Sequence, residues 1–145
     1  MLIGDIGRSG SGPVLERMFQ FAGARQRLLV NNIANMDTPD FRPMDVNPKD
    51  FQNALAKAVK ERRANTGGER GELRLGSSRE IVPGIGSLKL IPKTSGNGVL
   101  AHNRNNTDME SMMRDLGENS MVYRTVTDFM RRNTDILRTA ISQRV

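Results

Sequence analysis

The sequence predicts a mainly α-helical protein in which long N- and C-terminal helices pair as a coiled coil. Near both ends of the 145-residue chain, apolar residues recur at alternating spacings of four and three. This heptad spacing places them along one side of a helix. The middle of the chain is instead rich in Gly, Ser and Pro and contains only short apolar clusters. It predicts a short third helix and a small β-hairpin or loop insertion between the two long helices.

The N-terminal helix is predicted to begin at Ser11, Gly12 and Pro13, because proline is favoured in the first turn of a helix. One polar residue, Gln26, interrupts its apolar stripe. Such a residue in a coiled-coil seam commonly sets register and partner number, and the alternative is an ordinary solvated edge position. The stripe consists of Leu15, Phe19, Ala22, Gln26, Leu29, Ile33 and Met36.

The C-terminal helix is predicted over residues 107–145. At a rise of about 1.5 Å per residue it would be roughly 55 Å long, which is more than a compact domain of this size requires. The sequence therefore predicts a rod-like element. Its stripe consists of Met109, Met112, Leu116, Asn119, Tyr123, Val126, Met130, Asn133, Leu137 and Ala140.

Between the long helices, proline and glycine divide the chain into two further segments. Pro39 ends the first helix, and Asn47 followed by Pro48 begins a short one. The short helix has an apolar stripe made of Phe51, Ala54, Leu55, Ala58 and Val59. We therefore expect a helical domain made of residues 1–36 and 107–145, an elbow with the short helix over 37–61, and a Gly-rich basic insertion over 62–106.

Within the insertion, residues 80–92 predict a small hairpin that turns at Pro83 to Gly86, with flexible loops on either side. The composition argues against a dense globular core, because aromatic residues make up 4%, Trp is absent and Met is frequent with nine residues. Methionine favours adaptable packing between helices.

Composition and motifs also exclude several classes of function. The chain has no Cys, which excludes disulfide scaffolds and thiolate chemistry. No apolar run approaches the ~20 residues of a membrane span, and the first residues lack the basic-then-apolar layout of a cleaved signal. The only histidine, His102, lies among asparagines and is expected on a surface loop. We therefore expect no enzyme activity, metal site or cofactor.

The net charge of +6 leaves nucleic-acid binding as an alternative function. The excess lies in residues 62–106, which carry eight Lys and Arg against three Glu. Most of these basic residues could contact phosphates: Arg62, Arg63, Arg70, Arg74, Arg79, Lys89 and Lys93. They are scattered and have no interleaved aromatic residues, so a solvated or protein-facing basic loop is the favoured interpretation.

Two segments resemble bacterial flagellar axial proteins. Residues 28–55 are similar to the N-terminal signature of that family, in which an NNIAN core precedes an acidic-Thr-Pro turn, an aromatic residue and a basic one. Residues 108–141 are similar to the FlgB family of proximal rod proteins, through ENSxxY at 118–123 and LRTAI at 137–141. The alternative is another short, FlgC-like rod protein. The matching elbow residues are Asn31, Asn32, Asn35, Asp37, Thr38, Pro39 and Phe41.

The resemblance implies a structural subunit of the proximal rod of the flagellar basal body, which assembles helically, transmits torque and forms the export channel. It implies self-association and contacts with FlgC, FlgF, FliE, the MS ring and the export gate, and no small-molecule substrate or nucleic acid. It also implies a periplasmic location reached by flagellar type III export without a cleaved signal. The chain departs from the family at Asp40, where Gly is common.

The elbow residues also predict particular side-chain contacts. We expect the amides of Asn31, Asn32 and Asn35 to satisfy backbone or neighbouring groups at a crowded helix end, the alternative being that they are merely exposed. Phe41 is expected to anchor the extended segment against a helix.

Overall fold

A computed structural model describes residues 10–67, 71–84, 86–94 and 105–142, with side chains from residue 109 onward in the last range. In these residues the chain forms three helices and four short strands. The helices are α1 (Gly12–Ala34), α2 (Pro48–Thr66) and α3 (Asn105–Ser142). The strands are β1 (Met44–Asp45), β2 (Ile81–Pro83), β3 (Leu88–Leu90) and β4 (Lys93–Thr94). The prediction of a mainly helical chain with long terminal helices is confirmed.

Helix α1 begins where the sequence predicts, with Pro13 in its first turn and Ser11 before it. It ends earlier than expected, because Asn35 caps it and the chain then enters a turn. Met36, expected on the helical stripe, lies in that turn, so its assignment to the helix is wrong. Two side-chain bonds from the Asn35 amide hold this end, reaching the Asn31 carbonyl oxygen at 2.8 Å and its Oδ1 at 3.0 Å.

Helix α3 has 38 residues and α1 has 23, and the two run antiparallel in contact with one another. Their direction follows from the contacts, since Phe19 faces Tyr123 whereas Gln26 faces Ser120. The last three residues of the predicted helix, 143–145, lie outside the described part of the chain. None of the helices, over the ranges described, is long and apolar enough to cross a membrane.

Helix α2 begins as predicted. Asn47 caps it by accepting a hydrogen bond from the Lys49 backbone N–H at 2.9 Å, and Pro48 lies in the first turn. It ends at Thr66, and Gly67 follows with a left-handed φ of 70°, a conformation that glycine adopts without strain. The helix therefore continues past the boundary that the sequence suggested at residue 61.

The strands form two small antiparallel sheets. Strands β2 and β3 make the predicted hairpin, with Ile81 opposite Leu90, although Pro83 ends the first strand instead of opening the turn. The second sheet was not predicted. It pairs β1 with β4, with Met44 opposite Thr94, and so joins the elbow to the far end of the insertion.

A hydrophobic core lies between α1, α2 and the insertion, so the expectation that the chain lacks a dense core is wrong. Ile81 of the hairpin is fully buried, and Val46 is 2% exposed. Leu73 and Leu75 are also buried in this core, which corrects the expectation of flexible loops before the hairpin. The buried members are Phe21, Val46, Phe51, Leu55, Ala58, Leu73, Leu75 and Ile81.

Candidate assembly interface

The middle parts of the two predicted stripes contact each other where α1 and α3 meet, through Phe19, Ala22 and Gln26 on α1 and Asn119 and Tyr123 on α3. On α3, Asn119 and Val126 are 4% and 2% exposed, whereas Met121 between them is 73% exposed. On α1, Ala22 and Leu29 are buried. The other stripe positions inside the helices are partly buried, apart from two exposed ones. The partly buried ones are Leu15, Phe19, Gln26, Ile33, Met112, Leu116, Tyr123, Met130, Asn133 and Leu137, and the exposed ones are Met109 and Ala140.

An aromatic contact joins the helices near the start of α1. The rings of Phe19 and Tyr123 stack with centroids 4.9 Å apart and an angle of 28° between their planes. Gly23 makes room for the tyrosine, because a Cβ there would come within 3.3 Å of the ring atom Cε2. Offset-stacked aromatic pairs contribute about 0.5–1.5 kcal/mol beyond the area they bury.

A polar layer crosses the same interface one to two turns further along α1, at Ala22 and Gln26. The buried amide of Asn119 donates to the Ala22 carbonyl oxygen at 2.9 Å and to Gln26 Oε1 at 2.7 Å. The amide of Gln26 in turn donates to Ser120 Oγ at 2.9 Å. Both Gln26 and Asn119 therefore lie at interface positions and bond to each other across it. This arrangement defines register, because shifting either helix would leave a buried polar group unpaired.

An adjacent side of α1, about 100° around the helix from the stripe, faces the core, a contact that sequence reasoning missed. Phe21 stacks on Phe51 of α2, with centroids 4.0 Å apart and an angle of 4° between the planes. A signal was present in the sequence, since a second set of residues repeats at four and three, one residue before the predicted stripe. That set is Val14, Met18, Phe21, Arg25, Leu28 and Asn32.

A partly buried ion pair ties this second side of α1 to β1. Arg25 donates from Nε to Asp45 Oδ1 at 3.0 Å and from Nη2 to Oδ2 at 2.7 Å. Asp45 Oδ1 also accepts the backbone N–H of Val46 at 2.8 Å. Two parallel bonds of this kind fix both the distance and the angle between the partners. The pair therefore sets how the elbow leaves the helix.

Side chains of α1 also hold the turn of the hairpin. Arg17 donates to the carbonyl oxygens of Ser87 at 2.8 Å and Gly84 at 3.3 Å, and Gln20 donates to that of Gly86 at 3.0 Å. The carbonyl oxygens of the hairpin turn thus accept hydrogen bonds from side chains of α1. As a result α1 contacts α3 on one side and the insertion on another.

The elbow residues divide into a buried amide and an exposed turn. Asn32 is 3% exposed, donates to the Met44 carbonyl oxygen at 2.8 Å and accepts the Met44 N–H at 3.0 Å. Its amide thus pairs with the main chain of β1. By contrast, Asp37, Thr38 and Pro39 are exposed, and Asn31 accepts the bonds from Asn35. Phe41 is partly buried, and its N–H donates to the Thr38 carbonyl oxygen at 3.2 Å.

Asp40 adopts a left-handed φ of 62°, the one non-glycine positive φ among the described residues. Glycine reaches this conformation without the steric penalty that a Cβ brings. Aspartate at this position therefore has a local cost that glycine would not have.

Glu80 connects the hairpin, α2 and β4. Its Oε2 accepts the Asn47 N–H at 2.8 Å and its Oε1 accepts Lys93 Nζ at 2.8 Å, while its own carbonyl oxygen accepts the Ile91 N–H. The hydrogen bond from Asn47, followed by that from Lys93, holds the pKa of this carboxyl below its ordinary value. The carboxylate is thus a structural link between three segments.

Part of the predicted basic surface serves the fold. Arg62 is buried, and its Nη1 donates to the Gly10 carbonyl oxygen at 2.8 Å. Lys93 binds Glu80, and Arg74 lies 3.7 Å from Glu72 on an exposed surface. Arg62 is therefore unsuitable for binding phosphate. Arg70, a candidate phosphate contact, and His102, expected on a surface loop, lie outside the described residues.

Among the described residues, no group of three or more His, Cys, Asp or Glu could hold a metal ion.

Comparison with known proteins relates the chain to flagellar proteins over most of its length. It is 31% identical over 116 residues to the flagellar basal body rod protein FlgB of Borrelia hermsii, covering 77% of this chain and 81% of that protein. It is 33% identical over 108 residues to FlgB of Yersinia enterocolitica, covering 70% and 71%. It is 26% identical over 134 residues to FlgB of Bacillus subtilis strain 168, covering 92% and 95%.

The chain belongs to the FlgB family. It is thus a structural subunit of the proximal rod of the flagellar basal body, and this function is favoured over a FlgC-like identity and over nucleic-acid binding. No protein-family model matches the sequence. No solved structure matches it either.

Proposed function

We propose that this FlgB-family chain builds the rod through its two long helices, which pair as an antiparallel coiled coil in the inner tube. The observation that supports this most is the polar layer in which Gln26 and Asn119 bond at 2.7 Å across the interface. A layer of this kind selects one register among several that apolar side chains would accept. A fixed register gives every subunit the same shape, which a helical lattice requires.

The interface also leaves apolar surface for neighbouring subunits. Leu116 and Met130 on the stripe are only partly buried, and Met109 is 38% exposed. One α1 helix of 23 residues is too short to cover an α3 helix of 38 residues. Head-to-tail contacts repeated by a screw rotation produce an open tube, and such a tube would transmit torque and enclose an export channel.

We also propose which partners the chain contacts and how it reaches the rod. The partners are further copies of the chain, FlgC, FlgF, FliE, the MS ring and the export gate, and assembly takes place in the periplasm after type III export without a cleaved signal. The membership of the FlgB family supports this set. The hydrogen bonds between Arg25 and Asp45 and between Asn32 and Met44 would keep the elbow in one orientation as subunits are added.

Substituting aspartate for a leucine of either stripe tests whether the two helices pair. Leu29→Asp would bury a charge at a position that is 2% exposed, and Leu137→Asp would place one at the partly buried far end of the α3 stripe. Burying an unpaired charge costs several kcal/mol. We expect both variants to abolish swimming in soft agar while the protein is still expressed, as detected by immunoblot.

The chain offers a matched control for each variant. Val30 is 50% exposed next to Leu29, and Thr139 is exposed near Leu137. Val30→Asp and Thr139→Asp add the same charge outside the stripe, so cells carrying them should swim. Normal swimming of both the Leu29→Asp and the Leu137→Asp strains would overturn the paired-helix proposal.

A further inference from the structure

One exposed face of α2 is basic. Lys57, Lys60 and Arg63 are exposed, follow one another at intervals of three residues, and form no ion pair in the described part of the chain. At about 100° per residue they span about 120° of the helix surface. Glu61 is the one acidic residue in this half of the helix, and it lies about 100° around the helix from Lys60. We call Lys57, Lys60 and Arg63 the basic face.

The turn that follows α1 carries two exposed carboxylates, those of Asp37 and Asp40. Neither side chain forms a hydrogen bond or an ion pair with another described residue, and Arg42, the nearest basic residue in sequence, is exposed and binds neither. The dipole of α1 favours positive charge at this end of the helix. Electrostatics within the chain therefore do not account for these two acids, which we call the acidic turn.

The basic face and the acidic turn lie at opposite ends of α1. Arg62, beside the basic face, donates to the Gly10 carbonyl oxygen before the start of α1, whereas the acidic turn follows the end of α1 at Ala34. With 23 residues, α1 is about 35 Å long. Exposed charges interact little beyond the screening length of about 10 Å in 0.1 M salt. The two surfaces of one chain thus cannot neutralise each other.

We propose that the basic face binds the acidic turn of a second copy of this chain in a head-to-tail contact. The charges of the two surfaces are complementary, which favours this pairing over contacts between like surfaces. Each pair of copies still has one free basic face and one free acidic turn, so the contact can repeat and forms an open chain of subunits. The inference rests on the open assembly proposed above and identifies one of its contacts between subunits.

Sedimentation velocity of the purified full chain tests this contact. We expect the weight-average sedimentation coefficient to rise with protein concentration and to fall with added salt, because the screening length shortens to about 3 Å at 1 M. Arg27→Glu is the control for charge alone. Arg27 is exposed on α1 between the two surfaces, so this variant should associate as the natural chain does.

Two charge-reversed variants test the surfaces themselves. The turn variant combines Asp37→Lys with Asp40→Asn, since asparagine tolerates the left-handed φ of 62° at that residue. The face variant combines Lys60→Glu with Arg63→Glu. Each gives its two surfaces net charges of the same sign, so each should lower the association constant by about tenfold or more. All four substituted residues are exposed, and circular dichroism should show the natural helix content in both variants.

An equimolar mixture of the two variants should associate although neither does so alone. The unchanged acidic turn of the face variant meets the unchanged basic face of the turn variant, and the two reversed surfaces also have opposite signs. A head-to-tail contact between copies predicts this recovery, whereas damage to the fold would persist in the mixture. Association lost in the face variant but retained in the turn variant would show that another surface binds the basic face.

That result, a natural chain that stays monomeric at all concentrations, or a mixture that associates no more than its components would each overturn the head-to-tail contact. The proposed function is tested separately, by the swimming of cells that carry Leu29→Asp or Leu137→Asp. If those cells fail to swim and the mixture of variants does not associate, the paired helices stand and this contact is wrong. If they swim, the proposed function fails whatever the sedimentation shows.

Discussion

The two sides of α1 differ in how they are built. Toward α3 the contact is a line of partly buried side chains with a polar layer, and Asn119 lies at its centre. Toward the insertion the contact is a compact core in which Ile81 is fully buried and two Phe rings stack 4.0 Å apart. One side has the adaptable surface that an assembling subunit needs, while the other has the tight packing that holds a fold together.

We infer from this difference that the core provides most of the stability of the fold, and that the contact between α1 and α3 fixes the register of the two helices. Removing a large core side chain should thus have a larger effect on unfolding than removing a member of the polar layer.

The largest effect on stability is expected from Phe51→Ala. Phe51 is 3% exposed and stacked on Phe21, and truncation of a buried phenylalanine costs about 3–5 kcal/mol. Urea unfolding followed by circular dichroism measures the change. Phe129→Ala removes an equally large side chain that is 52% exposed, and should alter the free energy of unfolding by no more than about 0.5 kcal/mol. Equal losses for the two variants would contradict the assignment of stability to the core.

Asn119→Ala should have an intermediate effect. It removes the second hydrogen bond to the Ala22 carbonyl oxygen and leaves the Gln26 amide oxygen without its donor from α3, which costs about 1–3 kcal/mol. The same urea experiment provides the value. Asn133→Ala, at a partly buried position of the same stripe, is the control and should cost less. If the two substitutions cost the same, the polar layer would not set the register.

Acid should weaken the core through Glu80. Its pKa is lowered in the folded chain, so the unfolded chain takes up the proton first as the pH falls through the ordinary carboxyl value of 4.5. The stabilisation is complete above that value and is lost as the pH falls through the lower pKa of the folded state. Thermal unfolding at a series of pH values measures this loss.

Glu80→Gln should flatten that pH dependence, because the amide oxygen can still accept a hydrogen bond from Asn47 but no longer titrates. An unchanged acid dependence in Glu80→Gln would show that other groups cause it.

The smallest effect is expected from Asp40→Gly, and it is stabilising. The left-handed φ of 62° costs an ordinary residue about 1–2 kcal/mol, while the larger unfolded-state entropy of glycine offsets about 0.4–1 kcal/mol of the relief. We expect a gain of up to about 1 kcal/mol in the free energy of unfolding. Asp37→Gly, at an exposed position without a positive φ, should instead lower it slightly. A loss in both variants would contradict the strain at Asp40.

The features that the sequence predicted correctly are local. They are the helix starts at Pro13 and Pro48 and the hairpin around Ile81, which follow from spacing or from turn residues within a few positions. The place of Gln26 on the stripe predicted a role in register, but its partner Asn119 did not follow from the sequence.

The features that it missed join distant segments. Met44 pairs with Thr94 through two-residue strands that have no pattern of their own. Leu73 and Leu75 lie in a Gly-rich, charged stretch, so composition indicated a loop, although their alternation matches a buried extended segment. The second side of α1 was missed because a single heptad pattern was used to define its buried face. A helix that packs between two partners has two such patterns.

The most direct test of the central claim is quantitative mass spectrometry of flagellar basal bodies purified from the source cells after detergent extraction. If the chain is a structural rod subunit, it should be present in amounts comparable to those of the other rod proteins. Its absence from basal bodies in which those proteins are detected would contradict the assignment to the rod.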